Sequence, residues 1–360
     1  MTEVQTKLAL VREALAVTGL AGLRLRGVDG FAWATAGGDS AVLLTDEAGV
    51  AEVLITPDDA FVLTDAIEAP RLADEVVPAG LTLWHAPWQT PDAREAFVRD
   101  ATGGAVASDR PTAGERPLPD ALVRARRRLL PDEVERYRAL GHDAAEAMTA
   151  VLSEARPNLT ERDLAGRGSA ALWSRGITPA LVLVGGDRRV ARYRHAVPTD
   201  APLGDRAMLV FCARRHGLVA SLTRWVSFRE LTPSEARLDA DVRTVEAAAL
   251  RYSRPGAPLS DVYAQIAGAY AETGHAPEID RHHQGGTAGY RARETVASPT
   301  THDAIEASTA VAWNPSLPGA KIEDTVLVTD VGLDVLTVDP AWPTVPNADG
   351  PARPALLVRP

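Results

Sequence analysis

One cysteine, Cys212, is the only thiol in this chain of 360 residues. No intramolecular disulfide can form, which fits a reducing compartment and predicts a cytoplasmic protein. Long apolar runs are missing as well: nowhere do about 18 uninterrupted apolar residues occur, as a membrane-spanning helix requires. The opening residues include Glu3 and lack an apolar core ahead of a cleavage site, so no secretory leader and no membrane partner are expected. Lysine is almost absent, with only Lys7 and Lys321. Arginine supplies every other cation, as codon usage in a high-GC genome would favour. A lysine kept against that bias therefore suggests a need for an ammonium group. A basic surplus is also lacking. With 38 Lys+Arg against 48 Asp+Glu and a net charge of -10, the chain has no excess of cations to displace counterions from a nucleic acid. The basic run at 126–128 reads as a solvated helix turn. What remains is ordinary globular material, 46% hydrophobic and 24% charged. Its length suggests two domains at roughly 150 residues each, both able to bury a core.

Residues 3–20 carry Leu8, Val11, Ala14 and Leu15 at helical spacing, which predicts an opening amphipathic helix. Short β-like runs follow at 23–28, 31–35, 41–45, 50–56 and 61–63, punctuated by Gly and Asp. Residues 103–119 are rich in Gly, Pro, Ala, Asp and Thr and read as an interdomain linker. The linker divides a small α/β domain over 1–118 from a larger one over 119–360. A long helix is expected from Pro131, where proline and the acids after it suit a first turn. Residues 156–179 and 254–277 overlay without a gap. Arg156/Arg254, Pro157/Pro255, Asp163/Asp261, Ala171/Ala269, Gly176/Gly274 and Pro179/Pro277 coincide at corresponding helix ends. This pattern predicts an internal duplication whose halves enclose a pocket where polar groups converge.

Four stretches of the second half, in order, are similar to the catalytic domain of the creatinase, aminopeptidase P and methionine aminopeptidase superfamily: RYRHAVPTDAPLGDRAMLV, VFCARRHGLVASLTR, RHHQGGTAGYRARE and AWNPSLPGAKIEDTVLVT. In the first half, LRLRGVDGFAWATAGG resembles the amino-terminal domain of the two-domain members. The resemblance implies an α/β (α+β) protein with a C-terminal pita-bread domain, built on an internal pseudo-two-fold repeat, behind a smaller α/β domain. It also implies a homodimer in which the small domain, through residues such as Trp33 and Arg26, reaches towards the partner's cleft.

Metal-dependent members hold two divalent ions with two Asp, one His and two Glu. Anchored on Gly217 and Thr223-Arg224, the resemblance puts the first Asp position at Val210 and the second at Ser221. The His position falls at His283, with His282 as the alternative, the first Glu at Asn314 and the last Glu at Glu323. Two ions about 3.5–4 Å apart need several carboxylates to neutralise and bridge them. One carboxylate, one imidazole, one amide and one hydroxyl leave most of that charge uncompensated, and valine has no lone pair. A single ion on His283, Glu323 and Asp324 lacks the usual ligand count. No metal and no cofactor are therefore expected.

Creatinase resembles these enzymes in fold yet works without metal, using a pocket histidine as base, and His195 matches that position. Imidazole exchanges protons near neutrality when a partner orients it. His195, His283 and Glu323 are the candidate catalytic residues. His282, Gln284, Tyr290, Arg293, Glu294, Asn314, Lys321, Asp324 and Ser221 are the candidate binding residues for a small-molecule substrate. Creatinase's other carboxylate lies near Ser221, so a guanidino substrate does not carry over. Cys212 reads as a buried apolar cysteine, and Arg224 as a brace on a carboxylate. The leading expectation is a metal-independent hydrolase acting on a C–N bond of a small metabolite, with His195 as proton shuttle. The alternatives are an inactive pseudo-peptidase with a binding or regulatory role, and a metal-dependent Xaa-Pro aminopeptidase.

Overall fold

Thr2 accepts a hydrogen bond from the backbone N–H of Gln5, and the Gln5 side chain accepts one from the N–H of Thr2. This capping box starts α1 (Glu3–Thr18), which buries Val4, Leu8, Val11 and Leu15 on one face. The structure is a computed structural model describing residues 1–347 and 350–360. It divides into two units, Met1–Glu133 with His216–Leu218, and Val134–Arg215 with Val219–Pro360.

In the first unit, α1 is followed by β1 (Gly22–Gly27), α2 (Val28–Ala34), β2 (Ala48–Ile55), β3 (Ala60–Asp65), α3 (Ala69–Glu75), β4 (Thr82–Ala86), α4 (Asp92–Thr102), β5 (Val106–Ser108), β6 (Arg116–Pro117) and α5 (Asp120–Ala125). The strands form one sheet in the order β4-β3-β2-β1-β5-β6. Three expectations need correction here. Residues 31–35 were expected as a strand, but α2 takes them up to Ala34 and buries Phe31, Ala32, Trp33 and Ala34 in succession. An unbroken apolar run has no period to separate a buried helix from a strand. Residues 41–45 form no strand, and Val42, Leu43 and Leu44 are exposed. The stretch 103–119, expected as a linker, supplies β5 parallel to β1 and β6 parallel to β5. Pro117 is tolerated because β6 is an edge strand, and the unit continues to Glu133.

Trp33 and Arg26, the residues that the resemblance offers for reaching a partner, are both engaged within this unit. Trp33 is buried, with the Lys7 ammonium 5.3 Å and the Arg126 guanidinium 5.6 Å from its ring. Arg26 is held by Glu115 and Glu52. One of the two lysines is accounted for in this unit: Lys7 Nζ donates to Glu3 at 2.6 Å, Glu133 at 2.7 Å and the Trp33 carbonyl at 2.8 Å.

The second unit begins within α6 (Pro131–Ser153). It continues through α7 (Glu161–Trp173), β7 (Thr178–Gly186), α8 (Asp187–Val190), β8 (Arg206–Arg215) and β9 (Leu218–Ser227). Then come α9 (Pro233–Tyr252), α10 (Leu259–Glu272), a 3-10 turn (Ala276–Arg281), β10 (Gly285–Ala288), β11 (Thr295–Val296), β12 (Thr309–Trp313), β13 (Ser316–Leu317), β14 (Ala320–Lys321), β15 (Asp324–Thr329), β16 (Gly332–Val335), β17 (Thr344–Val345), β18 (Arg353–Pro354) and β19 (Leu357–Val358). Helix pair α6–α7 leads into β7, β8 and β9, and helix pair α9–α10 leads into β10, β12 and β15. The same order of elements thus occurs twice, as the overlay of 156–179 on 254–277 predicts. The matched exit glycines Gly176 and Gly274 both take left-handed backbone, with φ of 65° and 83°.

The two halves contribute separate sheets, β19-β9-β8-β7 and β11-β10-β12-β15-β16. Helices α9 and α10 cover one face of the second sheet, packing Val245, Ala249, Val262 and Ile266 against Val311, Trp313, Val326 and Val328. Alternation turns their sequence neighbours to the opposite face. There the sheets meet: Thr223 N–H donates to the Glu323 carbonyl at 3.0 Å, and Ser221 N–H donates to Thr325 Oγ1 at 2.8 Å. This seam between β9 and β15 carries the polar cluster described next.

Candidate active site

Glu323 sits at the seam with only 2% of its surface exposed. Its Oε1 accepts from Arg293 Nη2 at 2.7 Å; its Oε2 accepts from Thr223 Oγ1 at 2.9 Å and lies 3.2 Å from Lys321 Nζ. Burial alone would raise the carboxyl's pKa, but the Lys321 and Arg293 charges outweigh it and hold it at about 2. Among the described residues, Glu323 is the only carboxylate paired with the Lys321 ammonium, whose side chain is 4% exposed. Arg293 also reaches Ser221 Oγ, 3.3 Å from Nη1, and its buried Nε has no protein partner. Two cations thus share one carboxylate, leaving the cluster one positive charge in excess.

Three imidazoles gather beside it. His195 Nε2 lies 3.0 Å from His282 Nε2, with the rings edge to face at 4.9 Å between centroids. The His283 ring stacks on His282 at 4.6 Å. In the Nε2–Nε2 contact one ring donates and the other accepts, so the pair shares one proton. All three pKa values are depressed. Burial and then Lys321 lower His195; the same causes bring His282 to about 3; burial and then Arg293 bring His283 to about 4. At neutral pH the trio is uncharged.

Not every expected site residue joins this cluster. The Asp324 carboxylate turns to the opposite face of β15, where Arg224 at 2.7 Å, Arg353 at 2.6 Å and Thr337 at 2.6 Å satisfy it. Neighbouring strand residues point opposite ways, so Glu323 and Asp324 cannot serve one site. Arg224 is the expected brace. Gln284 is fully buried and spends its side chain on Tyr270, Ile279 and its own segment, so it is not a binding group. Glu294 accepts from the backbone of Arg291, closing its own turn, and Tyr290 is buried. Asn314 is 3% exposed, and its Oδ1 has no partner. Cys212 Sγ lies 3.6 Å from Ser221 Oγ; burial and then Glu323 push its thiol pKa up, the reverse of what a thiolate nucleophile needs. Thr223 was overlooked as a contact of Glu323. Its signal was the alternation Ser221, Thr223, Trp225, which puts all three on one face of β9. A cavity of about 600 Å³ lined by Glu161, Asp187, Arg189 and Arg206 lies apart and shares no residue with the cluster.

A pair of divalent ions does not fit this donor set. Val210 packs with Leu183, Val190, Met208 and Trp225 in an apolar cluster. Arg293 spans from Ser221 to Glu323, two of the positions at which the resemblance implies metal ligands, and Lys321 lies on the other oxygen of Glu323. A dication 4 Å from a monocation is repelled by about 8 kcal/mol at an effective dielectric of about 20. Here two cations would act.

The model of metallopeptidase family M24 matches residues 135–330. An uncharacterized peptidase of Staphylococcus aureus strain MW2 is 25% identical over 221 residues, 57% of this chain and 61% of the relative. The match therefore spans about three-fifths of that curated relative. A Xaa-Pro dipeptidase from Bacillus anthracis superposes with a TM-score of 0.80 at 18% identity, covering 99% of each chain. Dipeptidase PepE from Mycobacterium ulcerans gives 0.77 at 20% identity, over 99% of this chain and 98% of its own. These likenesses establish the two-domain pita-bread fold that the sequence resemblance implied. With more than half of its length matched by the family model, the chain belongs to metallopeptidase family M24.

Proposed function

We propose that this M24 protein is a metal-independent hydrolase that cleaves a C–N bond in a small metabolite bearing a carboxylate or similar anionic group. One observation carries the proposal: Glu323 is shared by Arg293 and Lys321, leaving a buried positive charge in excess and the Arg293 Nε–H without an acceptor. An uncompensated cation in a poorly solvated site is costly unless a ligand neutralises it, and an anionic substrate does so. The partnerless Oδ1 of Asn314 is a second buried polar atom left unsatisfied.

His195 is exposed and neutral at pH 7, so its imidazole can take a proton from an attacking water. The hydroxyl adds to the carbon of the C–N bond, and the cations offset the negative charge that develops there. The imidazolium then returns its proton to the departing nitrogen, which leaves as a neutral amine. The contact with His282 orients the ring.

The test is release of amine or ammonia from a panel of N-acyl amino acids, dipeptides and amidino acids, with and without chelator. Turnover of at least one class is expected to survive chelation and to fall about 10²- to 10⁴-fold in His195→Ala. Turnover lost on chelation would favour a metal-dependent peptidase. Binding without turnover would favour a non-catalytic role. Either result overturns the proposal.

A further inference from the structure

His195 comes from the loop after α8, and His282 and His283 from the segment before β10. Although far apart in sequence, they bring one side-chain nitrogen each to within 4.8 Å of the other two. The two Nε2 atoms 3.0 Å apart lie close to the spacing of nitrogens around a single ion. Two imidazoles on one tetrahedral zinc, each at about 2.0–2.1 Å, hold their nitrogens roughly 3.3 Å apart. We propose that His195, His282 and His283 form a mononuclear site for a late first-row dication such as zinc or cobalt, built from imidazoles alone and without Glu323.

The donors set the preference. Three imidazoles and no carboxylate suit zinc, cobalt, nickel or copper, whereas manganese and magnesium favour oxygen. Lys321 and Arg293 oppose an ion here too, as they oppose protonation of the rings, but solvent lies on the other side. Lys321 and Arg293 are on the buried side, with side chains 4% and 11% exposed, whereas His195 and His283 face solvent, which screens the charge. His283 must rotate out of its stack on His282 to complete the triad, and the buried Nδ1 of His282 lacks the partner that usually fixes a ligand's tautomer. Both costs point to modest affinity.

Binding does not depend on the hydrolase reading. One consequence does rest on it: an ion on Nε2 of His195 leaves the ring's one proton on Nδ1, so the imidazole can no longer accept a proton from water and turnover is inhibited.

The test is calorimetric titration of chelator-stripped full-length protein with Zn²⁺ and, separately, Mn²⁺, together with visible absorption on adding Co²⁺. Saturable binding of one Zn²⁺ per chain is expected, with intense tetrahedral Co²⁺ bands and no saturable Mn²⁺ binding. His195→Ala and His282→Ala should each weaken Zn²⁺ by at least about tenfold. His195 is exposed, so His195→Ala should leave the melting temperature unchanged; Asn314→Ala should leave Zn²⁺ affinity unchanged. No saturable Zn²⁺ binding, Zn²⁺ binding indifferent to His195→Ala, or preferential uptake of two Mn²⁺ would each overturn the site. Because the readout is binding, its failure is distinct from failure of the proposed hydrolysis.

Discussion

Removing Lys321 should weaken ligand binding far more than it weakens the fold. In the Glu323 cluster the carboxylate serves two cations, so Lys321→Met leaves Arg293 and Glu323 as a neutral pair at 2.7 Å, with Thr223 still donating at 2.9 Å. Replacing one surplus buried charge by an apolar side chain of similar length is close to neutral or stabilising. Glu323→Gln does the opposite, stranding two cations whose side chains are 4% and 11% exposed. Breaking a buried pair in this way costs about 3–5 kcal/mol. At roughly 2–4 °C per kcal/mol for a unit of this size, the melting temperature should fall by about 6–20 °C. For the ligand the order reverses. A unit charge about 4 Å from a bound carboxylate contributes about 4 kcal/mol at an effective dielectric near 20, so Lys321→Met should weaken an anionic ligand by up to about 10³-fold. Thermal and urea unfolding at pH 7 would measure the first effect, and calorimetry with the best substrate or product from the panel the second. A Lys321→Met protein as destabilised as Glu323→Gln, with ligand affinity intact, would show Lys321 to be a structural partner and refute the reasoning.

Other consequences follow from the same contacts. Lys321 helps depress the His195 pKa below 6.5, so the acid limb of kcat/KM should lie below that value and move up in Lys321→Met. His282 and His283 resist protonation down to about 3 and about 4, while unfolded histidines charge near 6.5. Below 6.5 the unfolded state binds the extra protons, so stability should fall as pH drops from 6.5 towards 3, and the His282→Asn/His283→Asn double variant should flatten that slope in acid titrations followed by circular dichroism. Glu323 adds a second loss at lower pH: its contribution is present above 4.5 and disappears as pH falls through about 2. Asp324→Ala should destabilise by about 3–5 kcal/mol, because it leaves the buried Arg224 without its carboxylate and Arg353 with Glu246 alone, yet leave the pKa governing the acid limb unchanged.

Much of this was legible in the sequence, for reasons that differ by residue. The order of His195, Gly217, Thr223-Arg224, the His282–Gly286 run and Glu323 carried the resemblance to the fold family, and Val210, Ser221 and Asn314 stand at positions where that resemblance implies metal ligands. The oddity of a retained Lys321 led to the second cation on Glu323. Arg293 could be singled out, but its span from Glu323 to Ser221 depends on how β9 and β15 meet, a long-range pairing that no local pattern encodes. Asp324 adjoins Glu323 in sequence, but strand alternation turns its carboxylate to the opposite face, onto Arg224 and Arg353. Gln284 shares a polar motif with two site histidines, but Tyr270 donates to its Oε1, and the Ile279 and His282 carbonyls accept from its Nε2. In the first unit, the mistaken strands at 31–35 and 41–45 were short apolar runs without a decisive period, and β5 and β6 were hidden by Gly and Pro at a sheet edge.

The most direct measurement of the central claim is titration of chelator-treated protein with Mn²⁺, wild type beside Glu323→Gln, with turnover followed in the same samples. If Arg293 and Lys321 occupy the electrostatic place of a metal pair, wild type takes up no pair of Mn²⁺ ions and turns over equally well before and after chelation. Uptake of two Mn²⁺ per chain that requires Glu323, together with turnover that chelation abolishes and Mn²⁺ restores, would contradict it.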